Sequence, residues 1–160
     1  MPTEDREVRD HLIELLRGAS AHADAKTVLS DFPADKRAIK PNGSPYNAWQ
    51  LLEHTRIALD DLLDFCVNPE YLARKWPDDY WPTNETPRNA EEWDKSVAAV
   101  LAAIKEFEQM VGDDKSNLYA KIPWGEGQTL LREAMLAADH NSYHLGQIVL
   151  LRKQLDAWQG

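Results

Sequence analysis

The chain is nearly free of cysteine: Cys66 stands alone among 160 residues. It can neither close an internal disulfide nor build a cysteine-based zinc site. Read as a small buried hydrophobe on a helix it needs no partner, and its isolation fits a reducing cytoplasm. No run of about 18 apolar residues occurs, so no transmembrane helix is expected. The opening stretch "MPTEDREVRD" is charged and lacks an apolar h-region, so no secretory signal is expected there. No basic run offsets the net charge of −9, and the lysines and arginines are scattered among acids. Most of such a surface repels a phosphate backbone, which argues against nucleic acid as a partner. The sequence also has no internal repeat, no low-complexity tract and no sustained strand alternation.

What is present is enough apolar material, 43% of residues, to bury one core, and the length suits a single domain over residues 1–160. Four helical stretches stand out between loops that carry proline and glycine. Thr3 is placed to cap a first helix running to about Leu29, with Val8, Leu12, Leu15, Leu16 and Ala19 near a helical spacing. After "FPADKRAIKPNGSP", Ser44 reads as an N-cap with Pro45 at the first helical position, opening a second helix to about Val67. Asn89 and Glu92 form a capping pair for a third helix that ends at Gly112, and Thr129 caps a fourth that reaches about Leu155. The expected fold is all-α, a four-helix bundle with long loops between helices 1 and 2, 2 and 3, and 3 and 4. Loops of this length are functional or pack over one end of the bundle. "KWPDDYWP", with Trp76, Tyr80 and Trp81, either covers the end of the core or walls a pocket.

Five histidines are spread along the chain: His11, His22, His54, His140 and His144. His140 and His144 are four residues apart and so share one helix face, about 6 Å from each other, a spacing at which two imidazoles can hold one ion. On the fourth helix they belong to the stripe Ala137, His140, His144, Ile148, Leu151. On the second, His54 belongs to Leu51, His54, Ala58, Leu62, Phe65. Inward stripes meet in a bundle, so His54 can supply a third ligand. Three neutral imidazoles suit zinc, nickel, iron or copper and leave at least one position open for water or substrate. The bland alternative is three hydrogen-bonded core histidines. His22 lies at the edge of the site or on the surface, and His11 belongs on the surface. Gly146 costs the helix up to about 1 kcal/mol relative to alanine, which suits a close approach by another helix or a ligand. Gln147 is placed to hydrogen-bond a ligand or a metal-bound water. Asp61 is either a carboxylate that orients an imidazole or a solvated acid. Asp139, Asn141 and Tyr143 flank the pair but point elsewhere on the helical wheel.

"WQLLEHTRIALDDLLDF" followed by "GQTLLREAMLAADHNSYHLGQIVLLRKQL" resembles the DinB-like (DinB/YfiT) superfamily over nearly the whole chain. The resemblance rests on a histidine in the second helix and His-x-x-x-His-x-Gly-Gln in the fourth. It implies a four-helix bundle holding a divalent ion, zinc or nickel, on His54, His140 and His144, and a homodimer. It also implies that some relatives are transferases or isomerases using low-molecular-weight thiols, while many are described only as metal-dependent hydrolases. The expected function is a divalent-metal-dependent enzyme that activates a small-molecule thiol, S-transferase-like, or a water, hydrolase-like. An electrophilic substrate would enter near Trp76 and Trp81. No glutamate stands beside the histidine pair as in His-Glu-x-x-His proteases, which tilts the reading toward thiol chemistry. The alternative is a non-catalytic metal-binding or stress-related dimeric module, marked by a fourth protein ligand such as His22. A third reading has an empty triad and an apolar ligand between the helices.

Overall fold

The computed structural model describes the chain over residues 3–158, and its side chains from Glu4. Within that span the chain is helical: α1 Thr3–Arg17, α2 Ala25–Leu29, α3 Ala48–Val67, α4 Ala90–Gly112 and α5 Leu130–Gln154. No strand occurs among the described residues; Lys121 and Thr129 form one isolated bridge. The four long helices α1, α3, α4 and α5 make the bundle, and α3 packs on both α4 and α5 while α1 closes the other side against the same two helices. Trp93, Phe107, Leu52, Leu59, Leu118 and Ile148 fill its centre. No described helix is long and apolar enough to cross a membrane.

The first helix does not run to Leu29. Gly18 adopts φ +74°, a left-handed conformation that ends α1 one residue after Arg17. The chain then restarts as the single turn α2, whose N-cap Asp24 accepts a hydrogen bond from the Thr27 N–H. The inward stripe of α1 is also rotated from the expected one. Leu12 and Leu16 are buried, but Val8 and Leu15 are exposed and so is Ala19, because Arg9 takes the inward position. The Arg9 guanidinium donates to the carbonyl of Val111 in the last turn of α4 and to those of Asp113 and Ser116 just beyond it. A cap by the Thr3 side chain lies outside the described side chains.

The start of α3 also differs. Ser44 spends its hydroxyl on the Tyr46 carbonyl at 2.6 Å and caps nothing. Asn47 is the N-cap, in a reciprocal box with Gln50: Asn47 Oδ1 accepts from the Gln50 N–H at 2.9 Å and Gln50 Oε1 from the Asn47 N–H at 3.2 Å. On α4, Asn89 caps through the Glu92 N–H as expected, while the Glu92 carboxylate reaches back one residue further, to the Arg88 N–H. Thr129 caps α5 through the Arg132 N–H.

The loop between α3 and α4 is laid along α3 by side chains of that helix. Asn47 Nδ2 donates to the Glu85 carbonyl at 2.8 Å, Trp49 Nε1 to the Asn84 carbonyl at 3.1 Å, and Tyr80 donates its hydroxyl to Asp61 at 2.6 Å. Backbone carbonyls that an irregular segment cannot pair internally are satisfied in this way. The next loop is tied by Trp124 Nε1 donating to the Phe65 carbonyl, near the end of α3. Asn47→Ala removes the helix cap and the loop donor together and is expected to destabilise the fold by about 2 kcal/mol. Ser44→Ala, losing one half-exposed hydroxyl bond, should cost less than about 1 kcal/mol. Urea midpoints of the two variants beside wild type measure the difference.

Candidate metal centre

His54 projects from α3, and His140 and His144 from consecutive turns of α5. The three place one nitrogen each within 4.8 Å of one another. Ring centroids are 5.0 Å apart for His54 and His140, 4.6 Å for His54 and His144, and 4.4 Å for His140 and His144. His54 and His144 are buried and His140 is half-buried.

The outer nitrogens show how the rings are held. His54 Nδ1 lies 2.7 Å from the Tyr80 carbonyl oxygen, which can only accept, so Nδ1 carries the proton and Nε2 presents a lone pair. His144 Nδ1 lies 2.7 Å from the Gln147 amide oxygen and is fixed in the same tautomer. His140 Nε2 meets His54 Nε2 at 3.2 Å, while its Nδ1 is buried without a hydrogen-bond partner. Two Nε2 lone pairs are thus turned toward a third imidazole nitrogen. The donor set is the all-imidazole kind that borderline metals accept, and the outer carbonyl and amide oxygens are the supports such ligands use. These residues fit a divalent ion.

Electrostatics agree with that use. Burial pushes the His140 pKa down to about 3, helped by the neighbouring His144 and His54. Burial pushes His144 down to about 4, against the opposing pull of its bond to Gln147 and with help from His54. His54 is lowered by burial and partly restored by the Tyr80 carbonyl. All three are neutral at physiological pH, the state in which an imidazole ligates.

Aromatic rings wall the site. Trp81 lies flat on His54, 4.1 Å between centroids at 6°, and Tyr46 stacks on the far face of Trp81 at 4.2 Å. Trp76 approaches His54 edge-on, and Tyr143 approaches His144 in the same manner at 4.9 Å. Together with Asp139 and Gln147 they border a cavity of about 590 Å³ that opens onto the three imidazoles.

Other expected residues are placed as follows. Trp76, Trp81 and Gln147 line the cavity. Gln147 acts through His144, holding its outer nitrogen. Asp61 is neither solvated nor in contact with an imidazole. It is buried, accepts the hydroxyls of Tyr80 at 2.6 Å and Tyr71 at 3.1 Å, and lies 3.5 Å from Arg74. It reaches His54 only through Tyr80. His22 is exposed, bonded to the Ala23 carbonyl and near Ser142, and stands apart from the triad. His11 is exposed too. Gly146 makes no close approach to anything, since a Cβ there would meet nothing within 4 Å. Asp139 and Tyr143 do not point away, because both line the cavity, whereas Asn141 turns into the core with both amide atoms unpartnered. Sequence reasoning missed Tyr46, whose signal was only its neighbourhood to Pro45, and the Tyr80 carbonyl, which has no side-chain signal at all. Burial pushes the Cys66 thiol up to about 12, so it is inert at neutral pH.

The chain matches the DinB family over residues 9–156. It belongs to the DinB family. No curated protein and no solved structure matches it. The triad of this DinB-family chain thus joins the second and fourth long helices of its bundle.

Two outcomes follow. The folded pKa values of about 3 and 4 lie below the ordinary 6.5, so as pH falls the unfolded chain takes up protons on these rings before the folded one does. The metal-free protein should hold its full histidine contribution above about pH 6.5 and lose it as pH falls toward 4. Urea midpoints across that range should show a smaller loss for His140→Ala. In addition, His144→Ala should remove most bound metal while far-ultraviolet circular dichroism stays nearly unchanged, because the core does not run through this ring.

Proposed function

We propose that the protein is a divalent-metal-dependent enzyme whose ion, zinc or nickel, is held by His54, His140 and His144 and whose reaction uses a small-molecule thiol as nucleophile. The observation that carries this reading is the triad itself: three neutral, oriented imidazoles at the floor of an aromatic-walled cavity, with no fourth protein ligand grouped with them among the described residues. Three protein ligands leave a position open, the arrangement of catalytic and not structural sites. His22, the residue that could have closed the site, is elsewhere on the surface.

When bound, a divalent ion supplies Lewis acidity that lowers the pKa of a thiol or a water into the neutral range. The chain's own residues do the rest. The Tyr80 carbonyl and the Gln147 amide oxygen fix two imidazoles with Nε2 turned inward. Trp81, Trp76 and Tyr143 wall the cavity and give an apolar surface along which an electrophile can lie. Asp139 is the one carboxylate among the described residues lining this cavity, and it sits exposed at the rim. Hydrolysis calls for a group that returns a proton to the leaving atom as well as an ionised water, whereas an ionised thiol that displaces a leaving group from an electrophile needs less proton transfer. This favours the thiol over hydrolysis.

Metal content by elemental mass spectrometry, on protein purified without a histidine tag or chelator, tests the reading. Wild type should carry close to one ion per chain and the His54→Ala, His140→Ala, His144→Ala triple variant none. The loaded wild type should then consume small thiols in the presence of an alkylating electrophile, and the triple variant should not. Absence of metal even after zinc or nickel reconstitution would make the histidines core residues and remove the enzyme reading.

A further inference from the structure

Further along α3 and α5 lies another cavity, of about 550 Å³, which shares none of its described lining residues with the cavity over the histidines. Asp61 follows His54 by seven residues on α3, and Glu133 precedes His140 by seven on α5. At the rise of an α-helix each carboxylate stands about 10 Å along its helix from the triad. Both line this cavity and both are buried.

Their counter-charges reach in from solvent. The Glu133 side chain is 1% exposed, and among the described residues the one group that bonds to it is the Arg132 guanidinium, at 2.7 Å, on a side chain 57% exposed. Asp61 accepts the hydroxyls of Tyr71 and Tyr80, and its one cation among the described residues, Arg74, is a half-exposed side chain 3.5 Å away. Burial and the neighbouring Asp61 raise both phenol pKa values, that of Tyr71 to about 12, so both hydroxyls stay donors at neutral pH. A carboxylate taken out of water needs a cation held close. An exposed arginine that reaches in gives up side-chain freedom to serve as one, and such pairs contribute little.

The rest of the wall is aromatic. Phe65 meets Tyr71 edge-on at 5.1 Å, and Trp124 donates its indole N–H to the Phe65 carbonyl. Gly125 lets this loop close on the ring, since a Cβ there would lie 2.9 Å from the end of Phe65. Aromatic faces attract cations and cover apolar groups. The other charged residue of the described lining is Glu126, so three carboxylates stand against Arg132, and they still outnumber the cations when Arg74 is counted. An anion would be repelled here, and an uncharged ligand would leave Glu133 no better partnered.

We propose that this cavity is a binding site for a small organic amine, with the ammonium group bonded to Glu133 and faced by Asp61, in place of Arg132, and an apolar body lying against Phe65, Tyr71 and Trp124. The site is separate from the histidine centre and does not depend on the reaction proposed there.

Phenethylamine, 2-phenylethanol and 3-phenylpropionate test this, because they share a ring on a short chain and differ in the charge at its end. In isothermal titration calorimetry of the protein as purified, the amine should bind at least about tenfold more tightly than the alcohol, and the acid should not bind. Glu133→Gln should weaken the amine at least about tenfold. Arg132→Ala removes a solvent-facing side chain and frees Glu133, so it should tighten the amine about threefold, and added amine should restore the urea midpoint that this variant loses. An amine that binds no more tightly than the alcohol overturns the inference. So does an affinity that Arg132→Ala leaves unchanged or weakens, a result that decides the matter even where Glu133→Gln does not fold. Binding abolished by His140→Ala would place the amine on the histidine centre and overturn the inference as well.

Discussion

Burial of three uncharged imidazoles between two helices is the constraint on which the rest of this structure depends. A ring nitrogen removed from water needs a partner. Two of the outer nitrogens find one, the Tyr80 carbonyl and the Gln147 amide, and those bonds settle which nitrogen of each ring keeps its proton. The same burial that makes the rings costly holds their pKa values far below neutrality. Cost and readiness for metal therefore have one origin. Only His140 keeps a buried outer nitrogen without a partner, so its orientation comes from packing against the other two rings.

This constraint explains why the long connection between α3 and α4 is ordered. Tyr80 contributes twice, its carbonyl to His54 and its hydroxyl to Asp61, one helical stretch further along α3. Asn47 and Trp49 hold the later part of the same loop. The loop is thus bound to the helix that carries His54, and its aromatic residues arrive over the imidazoles as a consequence. Trp81 stacks on His54 because Tyr80, its neighbour, is anchored on both sides of its Cα.

Much of this was legible in the sequence, for identifiable reasons. The ends of α3, α4 and α5 are marked by local chemistry, Asn89 and Thr129 among the caps, and the triad follows from two stripes with a 3.6-residue period. The start of α3 differs from Ser44-Pro45 because Asn47 has Gln50 three residues on, completing a capping box that Ser44 lacks, and its amide also holds the Glu85 carbonyl of the loop. The first helix was read too long because an apolar rhythm crosses Gly18, whose left-handed backbone is set by the turn and not by its neighbours. Arg9 took an inward position because its partners are carbonyls at the end of α4, more than a hundred residues away. The roles of Tyr80 and Asp61 were hidden for a related cause: a backbone carbonyl leaves no trace in residue identity. Asp139 and Tyr143 were placed off the site by their wheel angles, but side chains of that length at the edge of the inward arc still reach the rim.

The flat contact between Trp81 and His54 has a consequence of another kind. An indole emits differently beside a neutral imidazole than beside a charged or ion-bound one. The chain has six tryptophans, and Trp93 is sealed in the core against Phe32 and Trp49, where it supplies a steady background. Trp81 is different, since its ring lies flat on His54. The contact therefore makes Trp81 an internal optical gauge, whose emission is expected to follow the charge state of His54 in the unlabelled protein.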